Sequence, residues 1–383
     1  MNTSRSTDLV GGAGADRPRL PILASARAAD PDPRTTLTVA AAQLGGPWLN
    51  VNARMERLIQ AAELAASEGT QVLAFPETYL SGYPFWLTRT QGSRFDDANQ
   101  KACYAAYLDS GIEVGGPEQR ELERLSSDLR LTLFVGVTER GRGNASGSTF
   151  CTMLTLHPGH GLVGHHRKLV PTYDERLVWA QGDGAGLRTH PVGPAMVGAL
   201  NCWENWMPQA RHALYADGEQ VHISSWPGAS GLTPDITRFT AQEGRVFAMA
   251  ASGILSPDDV PDDFPLAEEV RANSAAMPFD GGSAVAAPDG SWLVPPVNGA
   301  EGLIVADLDL SWVARERLNF DPTGHYSRPD VFKVTVDRRR RRAGNFVDLA
   351  DRAETDPAGC AAPTSQAAET YSAEQEVGRG GRR

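Results

Sequence analysis

The spacing of apolar residues predicts a chain of alternating strands and helices. Short apolar runs predict strands at 37–44, 71–75, 131–139, 149–157, 195–200, 220–224 and 303–307. Apolar residues that recur every three or four positions predict helices at 52–67, 117–129 and 235–248. Pro288-Asp289-Gly290 is typical of the turn of a β-hairpin. This alternation of strands and helices indicates an α/β fold.

The pattern is lost at both ends of the chain. Residues 1–34 are rich in Gly, Ala, Asp, Arg and Pro and show no periodicity, and a polar stretch rich in Gly and Glu follows the basic run Arg338 to Arg342. We therefore expect one folded domain over 35–337, between disordered tails at 1–34 and 338–383. Five adjacent positive charges after the last apolar segment are interpreted as a solvated tail rather than a phosphate site.

Composition narrows the classes of function. The 383 residues include 36 Lys and Arg against 47 Asp and Glu, a net charge of -11, which argues against nucleic acid as a partner. No apolar run approaches the length of a membrane span and no convincing signal peptide is seen, so we expect a cytoplasmic protein that does not enter membranes. The four cysteines include no Cys-x-x-Cys pair, and neither a disulfide framework nor a thiolate zinc site is indicated.

Cys202 lies at a predicted strand-to-helix junction, between strand 195–200 and a helix expected to begin near Glu204. The positive end of a helix favours the thiolate at such a place. Position alone leaves two alternatives open, a nucleophile or a free cysteine packed as a small apolar residue. Glu77 directly follows the buried strand 71–75, and catalytic groups favour the carboxyl ends of strands in α/β folds.

Three segments resemble motifs of the nitrilase superfamily, in that family's chain order of Glu, Lys and Cys. They are Phe75-Pro-Glu77-Thr-Tyr-Leu-Ser-Gly-Tyr-Pro84, His166-Arg-Lys168-Leu-Val-Pro-Thr-Tyr-Asp-Glu175-Arg and Asn201-Cys-Trp-Glu-Asn-Trp-Met-Pro208. A fourth segment, Asp321 to Asp330, is similar to one typical of nitrilases proper. The resemblance extends from about residue 36 to about 335. It implies a four-layer α-β-β-α sandwich whose protomers pair through a helical face into a homodimer or a larger homo-oligomer.

The resemblance also implies a reaction, the hydrolysis of an organic nitrile to the carboxylic acid and ammonia. Cys202 would attack the nitrile carbon, Glu77 would carry protons, and Lys168 would stabilise the charge that develops on nitrogen. Glu175 is expected to hold the lysine, although Asp174 and Glu204 are competing carboxylates. No cofactor is required by this chemistry.

Four aromatic residues beside the motifs, Tyr83, Trp203, Trp206 and Trp226, are expected to contact the small-molecule nitrile, with core packing as the alternative. No metal site is expected, because the closely spaced histidines His157, His160, His165 and His166 lack the spacing of a helical zinc motif. Three other functions stay open: an amidase or a cyanide hydratase that uses the same Glu-Lys-Cys site, and a catalytically silent binding or assembly module of the same fold.

Overall fold

The computed structural model describes residues 19–274 and 279–341, which contain two seven-stranded sheets. The first has the strand order β1-β14-β2-β3-β4-β5-β6, with β1 Ile22–Ala26, β2 Thr36–Gln43, β3 Val72–Ala74, β4 Thr132–Arg140, β5 Thr149–His157, β6 Gly161–Arg167 and β14 Gly302–Asp309. The second has the order β11-β12-β10-β9-β8-β7, with β13 paired to β12. Its strands are β7 His190–Val192, β8 Ala195–Asn201, β9 Val221–Trp226, β10 Phe247–Ser252, β11 Ile254–Leu255, β12 Phe279–Ala286 and β13 Trp292–Asn298.

The described residues form eight α-helices. They are α1 Val51–Ser67, α2 Trp86–Arg89, α3 Ala98–Asp109, α4 Pro117–Leu129, α5 Pro208–Ala216, α6 Pro234–Gly244, α7 Ala267–Ala272 and α8 Ser311–Glu316. The side chain of Asn50 caps α1 by accepting a hydrogen bond from the Ala53 amide, and Pro117 occupies the first turn of α4, where a missing amide proton costs little. In the described part of the chain no helix combines the length and the apolar character that a membrane span requires.

The core lies in layers, as the α/β prediction requires. One apolar cluster joins the facing sides of the two sheets, with Val39 and Phe134 from the first sheet and Val197, Ile223 and Met249 from the second. A second cluster joins the outer side of the first sheet to α1 and α4. Helix α6 packs on β10 and β12 of the second sheet. The predicted four-layer α-β-β-α sandwich is therefore the observed architecture.

The two predicted tails are partly ordered. Residues 22–26, assigned to the N-terminal tail, form β1, which runs parallel to β14 and pairs Ile22 with Leu303. Pairing with the edge of a sheet needs only a short segment and no helical period, so periodicity could not reveal it. At the other end, Arg338 pairs with Asp217 and Arg340 with Asp183, so the start of the basic run contacts the domain. The rest of the predicted C-terminal tail, and residues 1–18, lie outside the described residues.

One predicted helix is too long. The stretch 235–248 was expected to be helical throughout, but α6 ends at Gly244 and Phe247 begins strand β10. Arg245 adopts a left-handed conformation with φ of 50°, which ends the helix. All six residues of β10 are buried between β9 and β12, and such a continuous apolar run can be mistaken for the end of a helix.

Candidate active site

Four side chains converge where strands of the two sheets end. Glu77 follows β3, Lys168 follows β6, Glu175 lies in the 3-10 turn Tyr173–Leu177, and Cys202 follows β8. All four are buried. The sulfur of Cys202 and one carboxylate oxygen each of Glu77 and Glu175 lie within 4.8 Å of one another. The fold thus brings together the four residues that the sequence marks as catalytic.

Glu77 is placed by close packing of backbone against backbone. Its amide donates to the carbonyl of Trp226 in the second sheet, at 3.3 Å. On β4, a Cβ at Gly136 would lie 2.1 Å from the carbonyl oxygen of Pro76 and 2.9 Å from the Cα of Glu77. Only glycine allows β4 to approach the Glu77 segment this closely.

Lys168 bridges the two carboxylates. Its Nζ lies 2.8 Å from Oε1 of Glu77 and 2.7 Å from Oε2 of Glu175. Burial alone would lower the pKa of the Lys168 ammonium, but the surrounding Glu77, Cys202 and Glu175 hold this pKa well above its ordinary value. The lysine therefore supplies a lasting positive charge inside a buried site.

Glu175 is held on both of its oxygens. Oε2 accepts from the amide of Thr172 at 2.6 Å as well as from Lys168, and Oε1 accepts from the hydroxyl of Tyr83 at 2.9 Å. The Thr172 side chain caps the same turn in return. A carboxylate with this many donors has a fixed position, and it fixes the lysine in turn.

Cys202 stands in a strained backbone conformation. Its φ of 49° lies in the left-handed region, which residues with a Cβ rarely adopt. The amide of the Asn205 side chain donates to the Cys202 carbonyl at 2.7 Å, and Asn205 itself accepts from His222 and Ser224. Burial, together with the nearby Glu77 carboxylate, raises the pKa of the Cys202 thiol well above its ordinary value. The resting thiol is therefore protonated, and a base must remove its proton.

Comparison with known proteins identifies the family. The profile of the family described as carbon-nitrogen hydrolase matches residues 38–317. The chain belongs to this family. Among its relatives are the aliphatic nitrilase of Rhodococcus rhodochrous, 30% identical over 81% of both chains, and nitrilase 2 of Arabidopsis thaliana, 35% identical over 76% of this chain and 86% of its own.

Solved structures share the fold at low identity. A carbon-nitrogen hydrolase from Helicobacter pylori G27 has a TM-score of 0.59 and 15% identity, and covers 79% of this chain and 98% of its own. An amidase from Nesterenkonia sp. has a TM-score of 0.52 and 18% identity, with 74% of this chain and 94% of its own covered. These two likenesses show the shared fold, whereas the family match and the curated relatives show that the chain is a hydrolase of carbon–nitrogen bonds.

In this carbon–nitrogen hydrolase Glu204 does not hold Lys168. It was a competing candidate for holding the lysine, but its carboxylate accepts from the amides of Asn201 at 3.0 Å and Leu169 at 2.6 Å, and pairs with His166 at 3.1 Å. Burial would raise the pKa of Glu204, yet His166 and the two amides hold this pKa below its ordinary value. The anion thus ties the residue before Cys202 to the residue after Lys168.

The four expected pocket residues separate into two pairs. Tyr83 reaches the site through Glu175, and Trp226 is 1% exposed and shares an apolar cluster with Cys202. Trp203 and Trp206 are 44% and 43% exposed, with ring centroids 6.2 Å apart. The 3-10 turn Cys202–Trp206 turns these two indoles outward, because positions three apart lie on one side of such a turn.

A small cavity beside Glu77 includes residues that the sequence did not suggest. Its volume is about 20 Å³, and its lining includes Glu77, Tyr83, Pro227, Leu255 and Phe279. The Phe279 ring packs edge-on against Tyr83, with centroids 5.3 Å apart. Phe279 begins β12, far along the chain from every motif, so no local signal marks it.

The candidate metal ligands already have partners in the protein. Glu77, Glu175 and Cys202 lie close enough to share an ion, but the Lys168 ammonium already forms a hydrogen-bonded ion pair with each of the two carboxylates and occupies the space between them. Of the four closely spaced histidines, His165 is paired with Glu139 and His166 with Glu204. These pairings favour a site that works with a lysine rather than a metal.

Proposed function

We propose that this carbon–nitrogen hydrolase is a nitrilase, which converts an organic nitrile to the carboxylic acid and ammonia. The observation that carries the proposal is the buried cluster of Glu77, Lys168 and Glu175 around the strained Cys202. The similarity to proteins named nitrilases, at 30% and 35% identity over most of the chain, supports the choice of a nitrile as substrate.

The proposed reaction begins at Cys202. Glu77 takes the thiol proton, and the thiolate attacks the nitrile carbon to form a thioimidate, whose nitrogen receives a proton. The Lys168 ammonium stabilises the negative charge that develops on that nitrogen. A first water then adds to the carbon and its two protons pass through Glu77 to the nitrogen, so that ammonia leaves and a thioester remains. A second water, deprotonated by Glu77, releases the acid and restores the thiol.

The substrate is proposed to enter beside Tyr83 and Trp226. Both lie at the reacting residues, whereas Trp203 and Trp206 face outward. The cavity beside Glu77 and Phe279, of about 20 Å³, has room for little more than one water-sized group next to the carboxylate.

We propose that the outward face around α5 and α6 pairs with a second copy of the chain. Trp203, Trp206 and Phe239 present large apolar surface there, and Phe239 on α6 stacks with Arg211 of α5, 5.3 Å from the ring centroid. Exposed apolar patches of this kind mark contact surfaces. We further propose a cytoplasmic location, which suits the free thiols of Cys103, Cys151 and Cys202.

Product analysis tests the proposed reaction. The purified protein and its Cys202→Ala variant are assayed with aromatic, arylacetic and aliphatic nitriles, with the matching amides and with cyanide, while acid, amide and ammonia are measured. Cys103→Ala is the matched control, because Cys103 is also buried but donates to the Pro265 carbonyl away from the cluster. Acid and ammonia from a nitrile, absent only in Cys202→Ala, would support the nitrilase.

The other outcomes select the remaining alternatives. Turnover of amides alone would favour an amidase, and formamide from cyanide would favour a cyanide hydratase. If no substrate of the panel reacts, the chain is better explained as a binding or assembly module of the same fold.

A further inference from the structure

The two oxygens of the Glu77 carboxylate have different surroundings. Oε1 accepts from the Lys168 ammonium at 2.8 Å and from the thiol of a second cysteine, Cys151, at 3.3 Å. Oε2 is buried and has no hydrogen-bond partner among the residues that the structure describes. A buried carboxylate oxygen without a donor is costly. Such an atom is kept for a partner that is bonded only during the reaction.

We propose that Cys151 is a positioning residue for Glu77, and that it reserves Oε2 as the atom that takes the proton of Cys202. This inference rests on the proposed function. Two donors on Oε1 fix the rotation of the carboxylate and leave the lone pairs of Oε2 free, and one oxygen of this carboxylate lies within 4.8 Å of the Cys202 sulfur. In the step, the S–H bond of Cys202 breaks and an O–H bond forms on Oε2, with no change of oxidation state.

The fold suits Cys151 to donate rather than to attack. It lies in β5, where it is paired with Thr138 of β4, and its carbonyl accepts from the amide of Lys168 at 2.8 Å. Its backbone is therefore fixed on both sides by the sheet and by the lysine segment. Burial and the Glu77 carboxylate raise the pKa of the Cys151 thiol well above its ordinary value, so its proton stays available for the hydrogen bond.

Other titratable groups also face Glu77 and are kept intact in the test. Lys168 and Cys202 follow strands β6 and β8, and Glu175 lies in the turn after β6. Tyr83 lies in the segment after Glu77, and Tyr107 lies in helix α3. Of the side chains that the structure shows donating to the Glu77 carboxylate, Lys168 is charged and Cys151 is neutral. Its substitution changes the Glu77 environment without changing the charge of the site.

The test compares Cys151→Ala with Cys151→Ser, and with Cys103→Ala as a control of equal burial. Loss of a donor to the anion raises the pKa of Glu77 and frees its rotation. In Cys151→Ala, kcat for a nitrile should fall about tenfold with little change in KM, and the acidic limb of the rate profile should move up by about one pH unit. Cys151→Ser keeps a donor and should stay within about threefold of the unsubstituted protein. Cys103→Ala should not move the limb.

A second measurement needs no nitrile. The rate at which iodoacetamide alkylates Cys202 is measured as a function of pH, and the alkylated residue is located by peptide mass spectrometry. The acidic limb of this rate profile should move up by the same amount in Cys151→Ala. In Cys151→Ser it should return to its position in the unsubstituted protein. The inference is overturned if Cys151→Ala and Cys151→Ser behave alike. It is also overturned if, in a folded Cys151→Ala protein, the acidic limbs of nitrile hydrolysis and of Cys202 alkylation both keep their position. If alkylation shifts as expected but no nitrile is hydrolysed by the unsubstituted protein, the proposed function fails and the positioning role stands.

Discussion

Glu77 combines two opposing influences on one carboxyl group. Burial raises its pKa, the Lys168 ammonium lowers it, Glu175 raises it again, and the resulting pKa is about 7. Because only the carboxylate can take a proton from Cys202, activity should be lost as Glu77 becomes protonated. We expect kcat/KM to fall below about pH 7, nearly tenfold per unit, in a pH-rate profile. An acidic limb near the ordinary glutamate pKa of 4.5 would contradict this assignment.

Replacing one carboxylate oxygen of Glu204 by an NH₂ group tests whether Glu204 positions the segments of Lys168 and Cys202. Glutamine has the same shape, but its NH₂ group would face a backbone amide or His166 where an acceptor is required. The segments of Lys168 and Cys202 should then shift apart. We expect kcat of Glu204→Gln to fall about a hundredfold in steady-state assays, while the exposed Glu63→Gln on α1 is unaffected. Equal activity of the two variants would remove the positioning role.

Elements with a clear local signal could be predicted from the sequence. Helix α1 buries one face through Leu58, Ala61, Ala62 and Ala65, and that spacing is visible in the chain. Strands β2 and β5 are apolar runs bounded by polar or turn residues. The elements without such a signal were missed: β1 depends on the edge of β14, and β10 depends on burial between two other strands.

The site also contains residues that a local sequence signal reveals and residues that only the packing of the fold brings in. Glu77, Lys168, Glu175 and Cys202 could be found because each lies within a recognisable motif. Cys151 and Phe279 reach the site through strand pairing and the packing of β12, and nothing next to them in the sequence reveals this. The outward orientation of Trp203 and Trp206 follows from a 3-10 turn where an α-helix was expected to begin.

The C-terminal basic segment is tied to the domain by specific contacts. Asp183 accepts from the Arg340 guanidinium at 3.0 Å and from the Arg341 amide at 2.8 Å, while the neighbouring Arg339 pairs with the exposed Asp337. Arg340→Ala should therefore loosen residues 331–341, and Arg339→Ala should not. We expect amide hydrogen exchange in this segment to rise roughly tenfold in the first variant. Equal amide hydrogen exchange of residues 331–341 in Arg340→Ala and Arg339→Ala would show that the pairing of Arg340 with Asp183 does not hold the segment.

On the scale of the whole molecule, the two sheets bring distant loops to one place. The Glu77 amide on the first sheet donates to Trp226 on the second, so the site forms only when the sheets pack face to face. The apolar cluster between the sheets therefore supports the catalytic geometry as well as stability.

Assembly is expected through the face around α5 and α6. A charge at Phe239, which is 47% exposed, would be buried in such a contact, whereas a charge at the fully exposed Phe95 would stay in water. We expect Phe239→Glu to lower the mass measured by light scattering during gel filtration, and Phe95→Glu to leave it unchanged. An unsubstituted protein that runs as a monomer would rule out the pairing.

The thiol that carries the covalent intermediate decides whether Cys202 is the nucleophile. Two thiols, Cys202 and Cys151, lie near Glu77, and only the first is proposed to attack. A nitrile that turns over is mixed with the protein, quenched in acid, and examined by intact-mass and peptide mass spectrometry. A thioimidate or thioester adduct is expected on Cys202, and neither adduct nor turnover is expected in Cys202→Ala. An adduct on Cys151, or nitrile hydrolysis that persists without the Cys202 thiol, would contradict the assignment of Cys202 as the nucleophile.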